Sequence, residues 1–161
     1  MASRAVFFGY QASDENIDKL VEGIVANSDE HHFLILEDHG QWVGTLHIAK
    51  TGKNDVEFGF MLDEHYRGRG LGDRLMDEGL TWARNRGYSE VFLHCVANNK
   101  PVQFLCHKHG LRVTTEHGES ETKAKLPPPD LFSLTKEVST RQRQAWRMML
   151  QQAFPVLDAI D

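Results

Sequence analysis

A chain of 161 residues with 40% apolar and 25% charged side chains can bury one sizeable core and has the make-up of an ordinary globular domain. Its net charge of -5 argues against a nucleic-acid-binding surface, and no apolar run approaches the roughly 20 residues that span a bilayer. Two cysteines, Cys95 and Cys106, make no disulfide framework, and the apolar start is too short for a secretory signal, so a reducing, cytoplasmic setting is expected.

Residues 5–10 are apolar and aromatic, as a first strand would be. Ile17, Leu20, Val21, Ile24 and Val25 recur at helical spacing and predict a short amphipathic helix. "HFLILE" (32–37), "WVGTLHIA" (42–49) and "VEFGFML" (56–62) read as a three-stranded meander, separated by the turns "DHG" and "TGKND". Leu71, Leu75, Met76, Leu80, Trp82 and Ala83 form a helical stripe that Gly87 would close. "EVFLHCV" (90–96) is almost wholly apolar, as in a strand covered on both faces. Asn99 and Pro101 suit a helix start, and Gly110 its end. Strands are expected at 112–117 and 131–138, joined by a polar, proline-containing connection. A final helix over 139–154 would open on a capping box of Ser139 and Gln142, with Trp146, Met149, Leu150 and Phe154 on one face. The pattern is that of a mixed α/β sheet domain, 1–138, with a helical extension, 139–161, packed on it or at a dimer contact.

The turn "YRGRGLGDRL" (66–75) places three glycines between a strand and a helix. Amides cleared of side chains, at the positive end of a helix, make an anion cradle to which Arg67 and Arg69 add charge. It is not a P-loop, because Asp73-Arg74 follows Gly72 where Lys-Ser/Thr is required. Nor is it a dinucleotide fingerprint, since Asp73 stands where the third glycine would be.

These residues resemble the GNAT superfamily of acyl-CoA N-acyltransferases. Its pyrophosphate signature, Gln/Arg-x-x-Gly-x-Gly/Ala, is matched by Arg67, Gly70 and Gly72. Its second pattern, Asn-x5-hydrophobic-Tyr-x-Lys-x-Gly-Phe, is matched by Asn99, Leu105, Lys108, Gly110 and Leu111, with Cys106 in place of the tyrosine. The resemblance implies a mixed, mostly antiparallel sheet flanked by helices, and acetyl-CoA bound in a V-shaped opening between strands 56–62 and 90–96. Main-chain groups at Phe60, Met61 and Leu62 would hold the pantetheine arm and thioester oxygen. Arg67, Gly68, Arg69, Gly70, Leu71, Gly72 and Asp73 would face the pyrophosphate, and Asn99, Val102 and Lys108 the pantetheine or adenosine end.

The implied reaction is transfer of acetyl from acetyl-CoA to a primary amine, in a small molecule or a peptide, by direct attack through a tetrahedral intermediate. The amine must first lose its proton, because alkylammonium groups titrate near pH 10. Glu57 is the expected base and His47 the reserve. Cys106 is expected as the acid, as an acyl carrier, or as a packed core residue. The acidic residues Asp29, Glu30, Glu116, Glu119 and Glu121 hint at a cationic acceptor. The nine histidines include no zinc-motif spacing, so no metal is expected; nor is a nucleic-acid or membrane partner, and the chain would be a monomer or homodimer. A CoA-binding regulatory module without turnover, and a protein acetyltransferase using its last helix as a docking surface, are the competing readings.

Overall fold

The computed structural model describes residues 13–96, 99–116 and 119–153. The strand expected at 5–10, and Phe154, lie outside these residues. Helix α1 (Asp14–Ala26) is capped by Ser13, whose hydroxyl accepts the Asn16 amide at 3.3 Å, and a 3-10 turn leads it into the sheet. Strands β1 (His31–Asp38), β2 (Gln41–Lys50) and β3 (Asp55–Leu62) form the expected antiparallel meander. Then come α2 (Leu71–Asn85), β4 (Glu90–Val96), α3 (Lys100–Lys108), β5 (Arg112–Glu116), β6 (Glu119–Lys125) and α4 (Leu131–Ala153). The six strands lie in the order β1-β2-β3-β4-β6-β5, and β3 and β4 run parallel while every other pair is antiparallel. The fold is thus the expected mixed, mostly antiparallel sheet flanked by helices.

Alternation along the strands decides which face is covered. Leu46, Ile48, Val56, Phe58, Val91 and Leu93 all point to one side, where Leu75, Met76 and Ala83 of α2 meet them and Cys106 and Leu111 extend the same core. Gly79 permits the close approach of α2. A methyl group there would press into Leu46 and lie 3.1 Å from the Phe58 ring, both buried. Gly79→Ala is therefore expected to destabilise the fold by about 1–3 kcal/mol, the usual cost of overpacking, despite alanine's better helix propensity. Thermal melts followed by circular dichroism check this.

Two expectations at the C-terminal end need correction. Residues 131–138 are helix, not strand, and the last helix begins at Leu131 rather than after Ser139. The cap is Asp130: its Oδ1 accepts the Ser133 amide at 2.7 Å, while the Ser133 hydroxyl accepts the Asp130 amide at 3.1 Å. This reciprocal pair is a capping box in a different register from the expected one, and Ser139 lies inside the helix. The missing strand is β6, within the stretch expected to be a connection. Its period-two signal is carried by small residues: Thr122 is buried and Ala124 half-buried, while Lys123 and Lys125 point outward. Ladders on both sides supply the stability that its side chains do not.

Candidate active site

Strands β3 and β4 share a ladder only from Asp55↔Glu90 to Phe58↔Leu93. Beyond Phe58, β3 stays with β2 as far as Gly44↔Leu62, and β4 continues with β6 to Val96↔Glu119. The two parallel strands therefore part and leave a wedge beside residues 59–62. Backbone groups on a strand alternate sides. Because the Asp63 amide donates to Val43 of β2 at 2.9 Å, residues 59 and 61 also direct theirs toward β2. Phe60 and Leu62 consequently turn their main-chain groups toward the wedge, and Met61 does not. The Leu62 carbonyl is used there already, accepting Nε and Nη2 of Arg67 at 3.3 Å each.

The glycine turn follows the end of β3 and is tied to it by the Arg67–Leu62 bonds. Gly68 and Gly70 have φ of 74° and 78°, which an L side chain adopts only under strain, and Gly70 is the N-cap of α2. Gly70 has no side chain to cap the helix, and the first intrahelical bond runs from the Arg74 amide to the Gly70 carbonyl at 3.1 Å. The amides of Leu71, Gly72 and Asp73 are the orphan donors of a helix N-terminus. At Gly72 a Cβ would come within 3.2 Å of Leu105 Cδ1 on α3. Arg69 lies over the Tyr66 ring at 5.1 Å, and Tyr66 donates its hydroxyl to Asp38 at 2.8 Å. The Asp73 carboxylate faces α3, bonded to Lys108 at 2.8 Å and to His109 at 2.9 Å, and these bonds hold its pKa below the usual carboxylate value. What Asp73 offers an anion is its backbone amide. Asn99 caps α3, its side chain accepting the Val102 amide at 3.4 Å, and Val102 is half-buried.

Glu57 lies one residue before the last paired position, half-buried on the sheet face opposite α2. His47 is on the same face of β2, diagonal to Glu57, since Ala49 pairs with Glu57 and His47 with Gly59. Ala49 and Gly59 lack bulk, so the floor between the two polar groups is low. Phe33 stacks on His47 at 4.6 Å, and His31 Nδ1 lies 2.8 Å from His47 Nε2. This imidazole pair was not foreseen: the sequence signal is only a histidine at each of two antiparallel positions, legible once the register is known. Cys106 is fully buried in the core. Its Sγ accepts the Thr122 hydroxyl at 3.7 Å, and burial pushes the thiol pKa up despite that bond.

A cleft of about 330 Å³ lies elsewhere, at the C-terminal end of α2, lined by Asp29, Glu30, His32, Trp82, Arg86 and Tyr88 among others. Trp82, its lining residue on α2, lies well along the helix from Leu71, roughly 17 Å away, so Asp29 and Glu30 belong to a different region from the wedge. His32 stacks on Trp82 there at 4.5 Å. Among the described residues, no group of three or more metal-ligating side chains is present.

Burial, then the Arg86 and Arg141 charges, hold the pKa of His32 below 6.5; burial, then His31, does the same for His47. The unfolded chain therefore binds more protons than the folded one as pH falls through the unfolded value of 6.5. The stability these two groups contribute is full above that value and is lost on acidification. A His32→Gln/His47→Gln variant should melt lower at neutral pH, having lost three ring stacks, yet show a shallower fall in melting temperature between about pH 7 and pH 5. Melts across that range check the sign.

The comparisons with known proteins agree with this architecture. The model of the acetyltransferase (GNAT) family matches residues 3–111. A search of curated proteins finds no match. Among solved structures, the chain is similar to ribosomal-protein-alanine N-acetyltransferase from Brucella melitensis, with 20% identity, 76% of this chain and 84% of that one covered, and a TM-score of 0.60. It is similar to spermidine N-acetyltransferase from Vibrio cholerae, determined with CoA and spermine, at 12% identity, 78% and 83% coverage and a TM-score of 0.64. The GNAT domain of S. lividans PAT gives 16% identity, 78% and 77% coverage and a TM-score of 0.65. At these identities the structures attest the fold, and the family model, which spans more than half of the sequence, attests descent: the chain belongs to the GNAT family of acetyltransferases, and is an acyltransferase.

Proposed function

We propose that the chain transfers an acetyl group from acetyl-CoA to a primary amine by direct attack on the thioester. The observation that carries this reading is a juxtaposition at one end of β3: a helix N-terminus without a side-chain cap, a wedge with main-chain groups directed into it, and a carboxylate at its apex. The amides of Leu71, Gly72 and Asp73 receive the pyrophosphate, with Arg67 and Arg69 beside them and Gly68 and Gly70 leaving room. The Phe60 amide is aimed where the thioester oxygen gains charge, a contribution of a few kcal/mol for a well-placed donor. Leu62 and Met61 flank the pantetheine arm, Leu62 by backbone and Met61 by its exposed side chain. Asn99 and Val102 border the far side of the wedge. Lys108, paired with Asp73, fixes α3 against the turn rather than reaching out as a free cation.

Glu57 takes the proton from the ammonium, the amine nitrogen then bonds to the acetyl carbon, the C–S bond breaks with its electron pair leaving on the CoA sulfur, and the nitrogen sheds its second proton to water as the amide forms. Cys106 takes no part in that sequence. A thiol within the core, with its ionisation opposed by burial, serves neither as acyl carrier nor as acid, so the departing thiolate takes its proton from water. His47, neutral at physiological pH and diagonal to Glu57, is placed to pass the proton onward through His31. The domain expected at 1–138 and the extension expected at 139–161 belong to one acting unit in this reading, since α4 (Leu131–Ala153) runs across that boundary and is joined to α2 by side-chain bonds.

Turnover of acetyl-CoA across a panel of polyamines, amino acids and peptide N-termini tests the proposal. Thiol release that depends on an added amine is the expected result. CoA binding with no turnover across the panel would point to the regulatory module, and turnover confined to peptides to a protein acetyltransferase.

A further inference from the structure

Helix α4 is amphipathic the wrong way round for a helix that belongs only to its own domain. Its polar face is the one packed on α2: Asn85 Nδ2 donates to the Ser133 carbonyl at 3.0 Å and to Glu137 at 2.7 Å, Arg86 pairs with Glu137 at 3.1 Å, and Lys136 binds Asp77. Its apolar face is turned to solvent. Leu131, Leu134, Val138, Trp146, Met148 and Met149 are between 44% and 81% exposed, and most of them recur at three- and four-residue spacing along one side. Contiguous exposed apolar surface of this extent marks an interaction site.

A second helix is in the same state. Among the described residues α1 has no buried side chain, and Leu20, Val21 and Val25 are 44% to 69% exposed. The two helices carry opposite charge. By sequence α1 has four carboxylates against one lysine, whereas α4 has four cations against Glu137 alone; Lys136 is bonded to Asp77 and Arg141 to Glu137, so Arg143 and Arg147 carry the basic flank, within a chain whose net charge is -5. Pairing α4 with a second α4 in antiparallel fashion would bring the mid-helix arginines together, and pairing α1 with α1 would oppose carboxylates, both unfavourable. Pairing α1 with α4 sets apolar stripe against apolar stripe and acidic flank against basic flank.

Both helices border the same end of β1. The 3-10 turn Ser28–Glu30 carries α1 directly into His31, and Glu137 and Arg141 of α4 lie close enough to His32 to influence its charge. A two-fold axis beside that end lets α1 of each copy meet α4 of the other, a closed arrangement made of two identical contacts. We infer that the chain forms a homodimer through reciprocal α1–α4 pairing. This holds whatever acceptor the enzyme uses and does not rest on the proposed chemistry.

Sedimentation equilibrium on the full chain, with circular dichroism to establish folding, tests it. The expected mass is twice 18.4 kDa. Val138→Glu/Met149→Glu should weaken the dimer at least about tenfold while leaving a folded monomer, as loss of central apolar anchors does elsewhere. Glu22→Lys should weaken it as well, and adding Arg143→Glu to Glu22→Lys should restore it. Should the double glutamate variant not fold, the Glu22→Lys and Arg143→Glu pair decides alone. The inference is overturned by a wild-type chain that stays monomeric, or by a dimer indifferent to the α4 variants. A dimer that needs α4 but ignores Glu22→Lys means α4 self-pairing, and overturns it too. So does a monomer that instead binds phosphatidylglycerol vesicles through α4.

Discussion

Glu57→Gln is expected to lower turnover by about 10²- to 10⁴-fold with an aliphatic amine acceptor, and to leave acetyl-CoA affinity unchanged. The asymmetry follows from position. Glu57 projects from the face of β3 opposite α2, next to the point where β3 and β4 part, whereas the amides proposed to receive the pyrophosphate belong to the start of α2. Glutamine keeps the shape and removes the proton acceptor. An aliphatic amine, protonated below about pH 10, needs that acceptor, whereas an arylamine, already neutral at pH 7, does not. The penalty should therefore shrink toward unity along a series of acceptors of falling basicity. A merely structural carboxylate would impose the same penalty on all of them. If the variant turns over aliphatic amines at the parent rate, His47 is the base, and His47→Gln should then carry the loss.

Much of this site was legible because its elements announce themselves by strong local chemistry. The α2 stripe, the apolar run of β4 and the Asn99-Pro101 helix start each combine pattern with a start or stop signal, and β4 spans the expected residues. The C-terminal end was misread for a physical reason. Leu131, Phe132, Leu134 and Val138 look like a buried strand only if apolar residues are assumed to face the core, and on α4 most of them face solvent. The sequence carries both the Asp130–Ser133 box and the Ser139–Gln142 pattern, and the helix starts at the first. Strand β6 was hidden because its inward positions hold Thr122 and Ala124, whose burial depends on neighbours rather than on their own hydrophobicity. The surroundings of Gly72, and the choice among the three expectations for Cys106, were likewise beyond pattern. Only the tertiary contacts put Leu105 against Gly72 and bury Cys106 in the core.

Gly70→Asn is expected to weaken CoA binding at least about tenfold, or 1.4 kcal/mol, with little change in melting temperature. Gly70 is the better probe than Gly72, because a side chain at Gly72 would push Leu105 and disturb the α2–α3 contact, confounding affinity with packing. At Gly70 an added Cβ meets nothing within 4 Å, so the fold has no steric objection. The remaining cost is the left-handed backbone at φ 78°, which asparagine tolerates better than other L residues. The new side chain would project beside the amides of Leu71, Gly72 and Asp73, into the space the pyrophosphate needs. A helix N-terminus contributes about 0.3–2 kcal/mol to an anion it faces, so blocking close approach has an effect of the stated size. S-acetylpantetheine, which has the thioester and no pyrophosphate, supplies the control: its kcat/KM should be the same in parent and variant. Calorimetry with CoA and rates with the truncated donor separate the outcomes. Loss of affinity for CoA alone places the phosphates on this turn. Equal loss for both donors would mean that the wedge itself had shifted, and a folded variant with unchanged CoA affinity would remove the turn from the binding site.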